Sequence, residues 1–162
     1  MADRPVSCFL AFGALGGFVA GDDQVIDYIK HMARPLLFSA SMPPATIASV
    51  RACLDIIEKE PERVLRLQAI GRKMVAGFKS LGFNVGTAET PIVPLLIGDM
   101  EKTLHFWRAL MDGGVFTNPI LSPAVPPDST LIRTSYMAIH TDAECDQILE
   151  VAGKAGKKTG IL

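Results

Sequence analysis

The chain has 162 residues, of which 49% are hydrophobic and 20% are charged, a composition that can bury one sizeable core and excludes wholesale disorder. With 16 basic and 17 acidic residues, its formal net charge of -1 excludes the positive field that non-specific nucleic-acid or anionic-membrane binding needs. Its three cysteines (Cys8, Cys53, Cys145) form no CxxC or Cys/His cluster, so no disulfide framework or metal site is predicted.

The first half of the chain predicts one short strand followed by helices. Residues 12–21 are apolar with glycines at both ends, which is typical of a buried strand fed by a tight turn. No other strand is predicted within the first 80 residues, so this strand is expected to pair through self-association or with another chain. The helical part consists of a helix capped at Asp22 and Asp23 and stopped by Pro35, an extended segment over 36–42, a helix opened by Pro43 and Pro44, a break near Glu60 and a helix ending at Gly82.

The second half predicts a small, mostly antiparallel sheet with helices on one face, an α+β arrangement. Pro94 indicates an edge strand or a bulge, and Thr141 with Glu144 forms a capping box. The predicted elements are strands at 83–85 and 92–97, a helix capped by Asp99, a strand at 115–117, an ordered loop over 118–128, a strand at 131–137, a helix at 141–152 and a frayed tail from Lys154.

The hydropathy pattern predicts no integral membrane segment. No apolar run approaches the ~18 residues that would cross a bilayer. The apolar start is interrupted by glycines, and Asp3 lies where a signal peptide would be positively charged. Because the cysteine pattern predicts no disulfide framework, a reducing cytoplasmic location is expected.

The last predicted strand carries a charged side chain, Arg133. A charged residue in an apolar strand must face water or meet an anion, and a guanidinium can bind a carboxylate through paired hydrogen bonds. The alternative is an arginine that faces outward on a half-exposed sheet. The pattern leaves both alternatives open.

Three other polar residues lie where function often concentrates. Ser39 and Ser41 precede the helix that begins at Pro43 and Pro44, where hydroxyls and free N–H groups can bind a phosphate. Plain capping of that helix explains the two serines equally well. His140 follows a strand, at the start of a loop. No Walker, HExxH or GxSxG motif is present.

Four motifs follow one another as they do in a known family: GALGGFVAG at 13–21, ARPLLFSASMPPA at 33–45, TPIVPLLIGD at 90–99 and LIRTSYMAIHT at 131–141. Through these motifs the chain resembles the C-terminal part of the α-oxoamine synthases over about residues 11–152. These are fold-type I pyridoxal-phosphate (PLP) enzymes that condense an amino acid with an acyl-CoA. The serine palmitoyltransferase and 8-amino-7-oxononanoate synthase branches resemble it most.

The resemblance implies roles for the candidate residues. Arg133 would hold the carboxylate of the amino acid. Ser39, with Ser41 beside it, would reach the cofactor phosphate of the partner subunit across a homodimer interface. No role carries over to His140. The implied domains are the end of the PLP-binding large domain over 1–45, a connecting helical region over 46–82 and the C-terminal small domain over 83–162.

The chain departs from the family at a position that the reaction needs. The family has Thr-Phe-Ser-Lys directly before the glycine-rich segment, and this lysine forms the Schiff base with PLP. Here the aligned stretch ends in Leu10, and the first lysine in the chain is Lys30. The family's ring-stacking histidine and its aspartate at the pyridine nitrogen lie upstream of the matched part.

The sequence therefore predicts the C-terminal portion of a PLP-dependent acyltransferase, truncated or aberrant, that is inactive alone and holds no covalent PLP. The alternative belongs to another class: a non-catalytic fragment or pseudoenzyme that acts as a protein-interaction domain.

Overall fold

The structure, a computed structural model, describes Ser7, Cys8 and residues 12–162, and it divides into two units, Met1–Glu60 and Pro61–Leu162. The described residues of the first unit form a two-stranded ribbon and three helices. Its elements are β1 (Ser7–Cys8), β2 (Gly17–Phe18), α1 (Asp23–Met32), α2 (Arg34–Leu37) and α3 (Pro44–Lys59).

The ribbon corrects the expectation that the first strand has no partner in the first 80 residues. β2 pairs antiparallel with β1, with Ser7 opposite Phe18 and Cys8 opposite Gly17. Between the strands, Gly13 and Gly16 have φ values of 64° and 111°, which glycine adopts without steric cost. The partner was missed because two residues give too little pattern to predict a strand.

The prediction of an extended segment over 36–42 is wrong at its start. Pro35 lies in the first turn of the short helix α2, where its missing N–H has no intrahelical partner to lose. The proline therefore lies inside α2, directly after Arg34, and α1 has already ended at Met32. The predicted break near Glu60 is confirmed, because α3 ends at Lys59 and the next helix begins at Glu62.

The helices α1 and α2 contain no buried residue. Large apolar side chains of this unit face solvent, and Phe38 is 86% exposed. An apolar surface of this kind is typical of a contact with another protein segment. The expectation that residues 1–45 depend on contacts outside their own sequence stays a prediction.

The second unit is a three-stranded antiparallel sheet with helices on one face, as predicted. The strand order is β3-β5-β4, so β5 is the central strand. α4 and α5 pack against the sheet, and α6 packs against both helices. The elements are α4 (Glu62–Leu81), β3 (Ile92–Leu96), α5 (Met100–Asp112), β4 (Asn118–Ile120), β5 (Leu131–Ser135) and α6 (Asp142–Thr159).

Alternation along the strands places the core on the helix side of the sheet. Val93 and Leu95 of β3 and Ile132 of β5 are each at most 1% exposed. Burying such side chains stabilises the unit by about 1.5 to 3 kcal/mol each. The other large buried residues of the cluster are Ile70, Met74, Phe78, Phe83, Val85, Phe106, Leu110, Val115 and Tyr136.

Pro94 lies in an edge strand, which was one of the two predicted alternatives. Its register partner is Arg133, and its missing N–H faces the outer edge of the sheet. On that edge the N–H of Leu96 donates to the carbonyl oxygen of Asn84 (2.8 Å), and the N–H of Ile92 donates to Oγ1 of Thr90 (3.3 Å). The edge therefore presents no free N–H at these three positions to a foreign strand.

Two strand predictions are wrong for a common reason, since hydrogen bonds to partners outside a ladder replace strand pairing. Residues 83–85 form no strand, because the N–H of Gly86 donates to Oδ1 of Asn84 and turns the chain away after one bond to β3. Residues 115–117 form none either, because the carbonyl oxygen of Thr117 accepts from Nε1 of Trp107 (3.1 Å). Pairing begins instead at Asn118, inside the predicted loop.

The last helix is longer than predicted, and its tail is not frayed. The capping box of Thr141 and Glu144 is confirmed. α6 continues to Thr159 because its small residues, such as Ala155, are buried against the core cluster. Gly160 then ends the helix with a φ of 66°.

We predict that Gly98→Ala destabilises the protein more than Gly114→Ala. The φ values are 81° and 82°, so each substitution costs about 1 to 2 kcal/mol of backbone strain. At Gly98 the new Cβ would also lie 2.9 Å from the carbonyl oxygen of Asp128, whereas at Gly114 no atom lies within 4 Å. Urea unfolding at 25 °C measures both losses, and equal losses would contradict the contact at Gly98.

Candidate functional site

The outer face of the sheet carries the predicted site residue Arg133. Ile132 and Thr134 are buried on the helix side, so the side chain of Arg133 projects from the opposite face and is exposed. Because β5 is the central strand, Arg133 has a neighbour on each side: Pro94 on β3 and Asn118 on β4. The guanidinium faces outward, which agrees with the alternative of an outward-facing arginine on a half-exposed sheet.

The surroundings of Arg133 on this face are mostly apolar. The polar side chains nearest to it in the ladder are those of Asn118 and Ser135. Among the described residues no carboxylate forms an ion pair with Arg133. A lone guanidinium on an apolar face is suited to binding an external carboxylate. The apolar residues in register around it are Ile92, Pro94, Leu96, Ile120 and Leu131.

Ser39 and Ser41 lie in the first unit, on the exposed segment between α2 and α3. The hydroxyl of Ser39 donates to the carbonyl oxygen of Pro35. Neither serine caps α3, since its N-cap is Pro43 and no side chain caps it. The capping alternative is therefore wrong for the structure, and the phosphate-binding alternative stays a prediction.

The start of α3 is a poor source of backbone donors. Pro43 and Pro44 have no N–H, and the N–H of Thr46 already donates to the carbonyl oxygen of Pro43. A phosphate at this place would therefore depend on the hydroxyls of Ser39 and Ser41 more than on the helix end. Leu10, the residue in place of the Schiff-base lysine, lies outside the described residues.

His140 has a structural role in the loop between β5 and α6. Its Nδ1 accepts from the N–H of Met137 (3.2 Å), and its carbonyl oxygen accepts from the guanidinium of Arg66 (3.1 Å). Arg66 also forms an ion pair with Asp142 (3.2 Å). This guanidinium lowers the pKa of Asp142 through its hydrogen bond and its charge. These contacts fix the loop that follows Arg133 in the chain.

A cavity of about 430 Å³ adjoins this loop and contains two residues that the sequence did not single out. The hydroxyls of Tyr136 and Thr117 are buried and have no hydrogen-bond partner within the described part of the chain. Burial raises the pKa of Tyr136, and the nearby Thr134 hydroxyl offsets this only in part. No sequence signal indicates the two hydroxyls, because the approach of the loop over 114–117 to β5 buries them.

No helix among the described residues is long and apolar enough to cross a membrane. No group of three or more His, Cys, Asp or Glu side chains within the same residues could hold a metal ion.

Comparison with known proteins decides the family. The family model described as "Aminotransferase class I and II" matches residues 10–151. The chain belongs to this family. A serine palmitoyltransferase from Bacteriovorax stolpii is 45% identical over 147 residues, which are 91% of this chain and 35% of that protein. An 8-amino-7-oxononanoate synthase from Treponema denticola is 37% identical over 152 residues, covering 94% of this chain and 38% of that protein.

Solved structures confirm the fold. A serine palmitoyltransferase from S. paucimobilis, solved with a PLP–myriocin aldimine, has a TM-score of 0.88 at 31% identity and covers 97% of this chain and 40% of that one. An 8-amino-7-oxononanoate synthase from Francisella tularensis has a TM-score of 0.77 at 19% identity. This chain spans under two fifths of the length of the two curated relatives. The resemblance to these synthases and the fold class are confirmed.

We predict that Tyr136→Phe makes the free energy of unfolding less dependent on pH in the alkaline range. The raised pKa means that the folded state holds the hydroxyl proton more firmly than the unfolded state. The free energy of unfolding therefore falls as the pH rises above about 10, by up to ~1.4 kcal/mol per pH unit for one group. Tyr136→Phe removes the contribution of this hydroxyl to the fall of the free energy of unfolding with pH.

Urea unfolding between about pH 8 and pH 11 measures the slope, with the exposed Tyr28→Phe as the matched control. At neutral pH Tyr136→Phe should be at least as stable as the unchanged chain, since the buried hydroxyl that it removes has no hydrogen-bond partner among the described residues. Identical slopes in the two variants would contradict the prediction.

Proposed function

We propose that this chain is the C-terminal portion of a PLP-dependent acyl-CoA:amino-acid C-acyltransferase of the serine palmitoyltransferase or 8-amino-7-oxononanoate synthase type, and that it is inactive by itself. The observation that carries the proposal is Arg133, a single guanidinium without a carboxylate partner among the described residues, on an apolar sheet face. In this proposal Arg133 binds the carboxylate of the amino acid and orients it.

The residues of this chain fit PLP only in part. The hydroxyl of Ser41 can donate to a phosphate, and that of Ser39 can do so once it releases the carbonyl oxygen of Pro35. We propose this role for both serines across a homodimer interface. When bound, PLP supplies an electron sink for the amino acid. Leu10 offers no amine for a Schiff base, and the two prolines at α3 remove two amide donors. The donor set therefore supports a phosphate contact and no covalent one.

The proposal extends to the organisation of the chain. The end of a PLP-binding large domain would occupy residues 1–45, a connecting region 46–82 and a C-terminal small domain 83–162. The exposed apolar side chains of the first unit favour a homodimer or contact with a large domain. The substrates would be an amino acid and an acyl-CoA, in the cytoplasm.

The second candidate is a non-catalytic interaction domain, either a fragment or a pseudoenzyme. Leu10 and the exposed apolar side chains of α1 and α2 favour it. The coding sequence upstream of Met1 discriminates between the two candidates. An open frame with Thr-Phe-Ser-Lys and a ring-stacking histidine would mark a truncated enzyme.

We predict that the chain alone forms no stoichiometric adduct with PLP. The purified protein is mixed with PLP, its absorbance spectrum is recorded, and borohydride reduction is followed by peptide mapping of any labelled lysine. We expect no single labelled lysine and no turnover of L-serine with palmitoyl-CoA, because no amine lies at position 10.

A chimera gives the positive control. The part of the Bacteriovorax stolpii serine palmitoyltransferase that precedes the matched region is joined to this chain, with and without Leu10→Lys. Labelling at residue 10 should appear only with Leu10→Lys. Stoichiometric labelling of one lysine in the unchanged chain, with turnover, would overturn the prediction of inactivity.

We predict that Arg133→Ala weakens amino-acid binding in the Leu10→Lys chimera. The substitution removes a charge-assisted pair worth roughly 1.5 to 3 kcal/mol, so the dissociation constant for L-serine should rise by about one to two orders of magnitude. The change in cofactor absorbance on titration with L-serine measures this constant. Arg108→Ala is the matched control, because Arg108 is exposed on α5 and pairs with Asp112. An unchanged constant in Arg133→Ala would rule out the carboxylate role.

A further inference from the structure

Two prolines decide how β5 bonds to its neighbours. Pro119 lies opposite Ile132 and Pro94 lies opposite Arg133. A residue without an N–H cannot take part in a hydrogen-bonded antiparallel pair, and hydrogen-bonded and non-hydrogen-bonded pairs alternate along the ladder. Arg133 therefore exchanges its backbone bonds with Asn118, and its pair with Pro94 is the non-hydrogen-bonded kind.

This pairing gives Arg133 two different sides. On the β3 side the proline ring comes close and offers no polar group. On the β4 side Asn118 projects from the same exposed face, with its Cα about 5.5 Å from that of Arg133. The side-chain amide of Asn118 is therefore the hydrogen-bonding group directly beside the guanidinium.

Within the part of the chain that the structure describes, the side chains of Asn118 and Arg133 have no hydrogen-bond or ion-pair partner, and they do not bond to each other. Asn118 and Arg133 are both exposed. An oxygen acceptor placed between them could accept hydrogen bonds from both.

We propose that Asn118 is a second donor to the carboxylate that Arg133 binds, so that the site is a two-residue clamp spanning β4 and β5. This inference rests on the carboxylate-binding role proposed above for Arg133. A carboxylate has two oxygens with about four acceptor positions. The guanidinium takes two of them with its parallel N–H groups, and an Nδ2–H of Asn118 takes a third from the side.

The clamp requires an uncharged hydrogen-bond donor at position 118. An aspartate there would neutralise Arg133 and repel the incoming carboxylate. A leucine there would keep the approximate volume and remove the donor. The amide donates without competing for the guanidinium charge.

The experiment uses the full chain, labelled with 15N. Sodium acetate supplies the carboxylate alone, and sodium chloride at matched ionic strength corrects for screening. The cross-peaks of Arg133 Nε–Hε and of the Asn118 amide are followed by NMR, with Arg133→Lys assigning the first. Both should shift along one saturable curve with the same dissociation constant. The chloride titration should give no such curve.

The variants isolate the contribution of Asn118. Asn118→Leu should raise the acetate dissociation constant by about three- to tenfold, the effect of one lost hydrogen bond at an exposed site. Asn118→Asp should abolish the saturable shift of Arg133. Ile120→Val is the matched control, because Ile120 lies on the same strand and face opposite Leu131, and it should leave the constant unchanged.

The outcomes separate the two proposals. A saturable shift at Arg133 that is unaffected by Asn118→Leu overturns the role of Asn118 and leaves the role of Arg133 standing. Absence of any saturable shift at Arg133 in the unchanged chain overturns both. A rise of the constant that is equal in Asn118→Leu and Ile120→Val marks a distorted β4 and also overturns the role of Asn118.

Discussion

The register of the central strand β5 is the constraint on which the second unit depends. Ile132 and Thr134 face the helices, so Arg133 must face away from them. A slip by one residue would bury the guanidinium and expose the core residues, at a cost of several kcal/mol. Pro94 and Pro119 restrict the register further, since each tolerates only one kind of pair with β5. The apolar core, the edge strand β3 and the candidate site at Arg133 therefore all depend on the register of β5.

The outer face of the sheet is unusual for a surface. An antiparallel sheet with one solvated face normally carries polar residues there, but this face is mostly apolar around one arginine. The first unit likewise exposes large apolar side chains on α1 and α2. The two relatives compared here are more than twice as long as the part matched by this chain. A segment that covered the apolar residues around Arg133 would also cover its guanidinium. A covered guanidinium needs an anion, so such a segment is compatible with a carboxylate-binding role for Arg133.

The position of the loop after β5 depends on a polar network inside the second unit. Lys73 of α4 forms ion pairs with Asp142 and Asp146 of α6, while Arg66 reaches Asp142 and the backbone of His140. The hydrogen bond and charge of Asp146 raise the pKa of Lys73. Exposed pairs of this kind contribute little stability each, but together they fix the start of α6 relative to α4. The network holds the chain next to the site without contributing to it.

The sequence alone determined the features that depend on neighbours a few residues apart. Asp99 and the pair Thr141 and Glu144 start their helices as predicted, because capping acts over three residues. The ordered motifs indicated the family, and Arg133 stood out as a charge in an apolar strand. Leu10, in contrast, is a sequence observation whose residue lies outside the described structure.

Only the tertiary structure decided which distant residues meet. Asn118 was assigned to a loop, and nothing in its local sequence indicates that it lies opposite Arg133. The strand expected at 115–117 does not form there, because Nε1 of Trp107, on another element, donates a hydrogen bond to the carbonyl oxygen of Thr117. Register and burial are fixed by cross-strand bonds and by packing between elements far apart in the chain. These interactions leave no signal in the local sequence around Asn118, which is why the capped starts of α5 and α6 could be predicted and the composition of the proposed clamp could not.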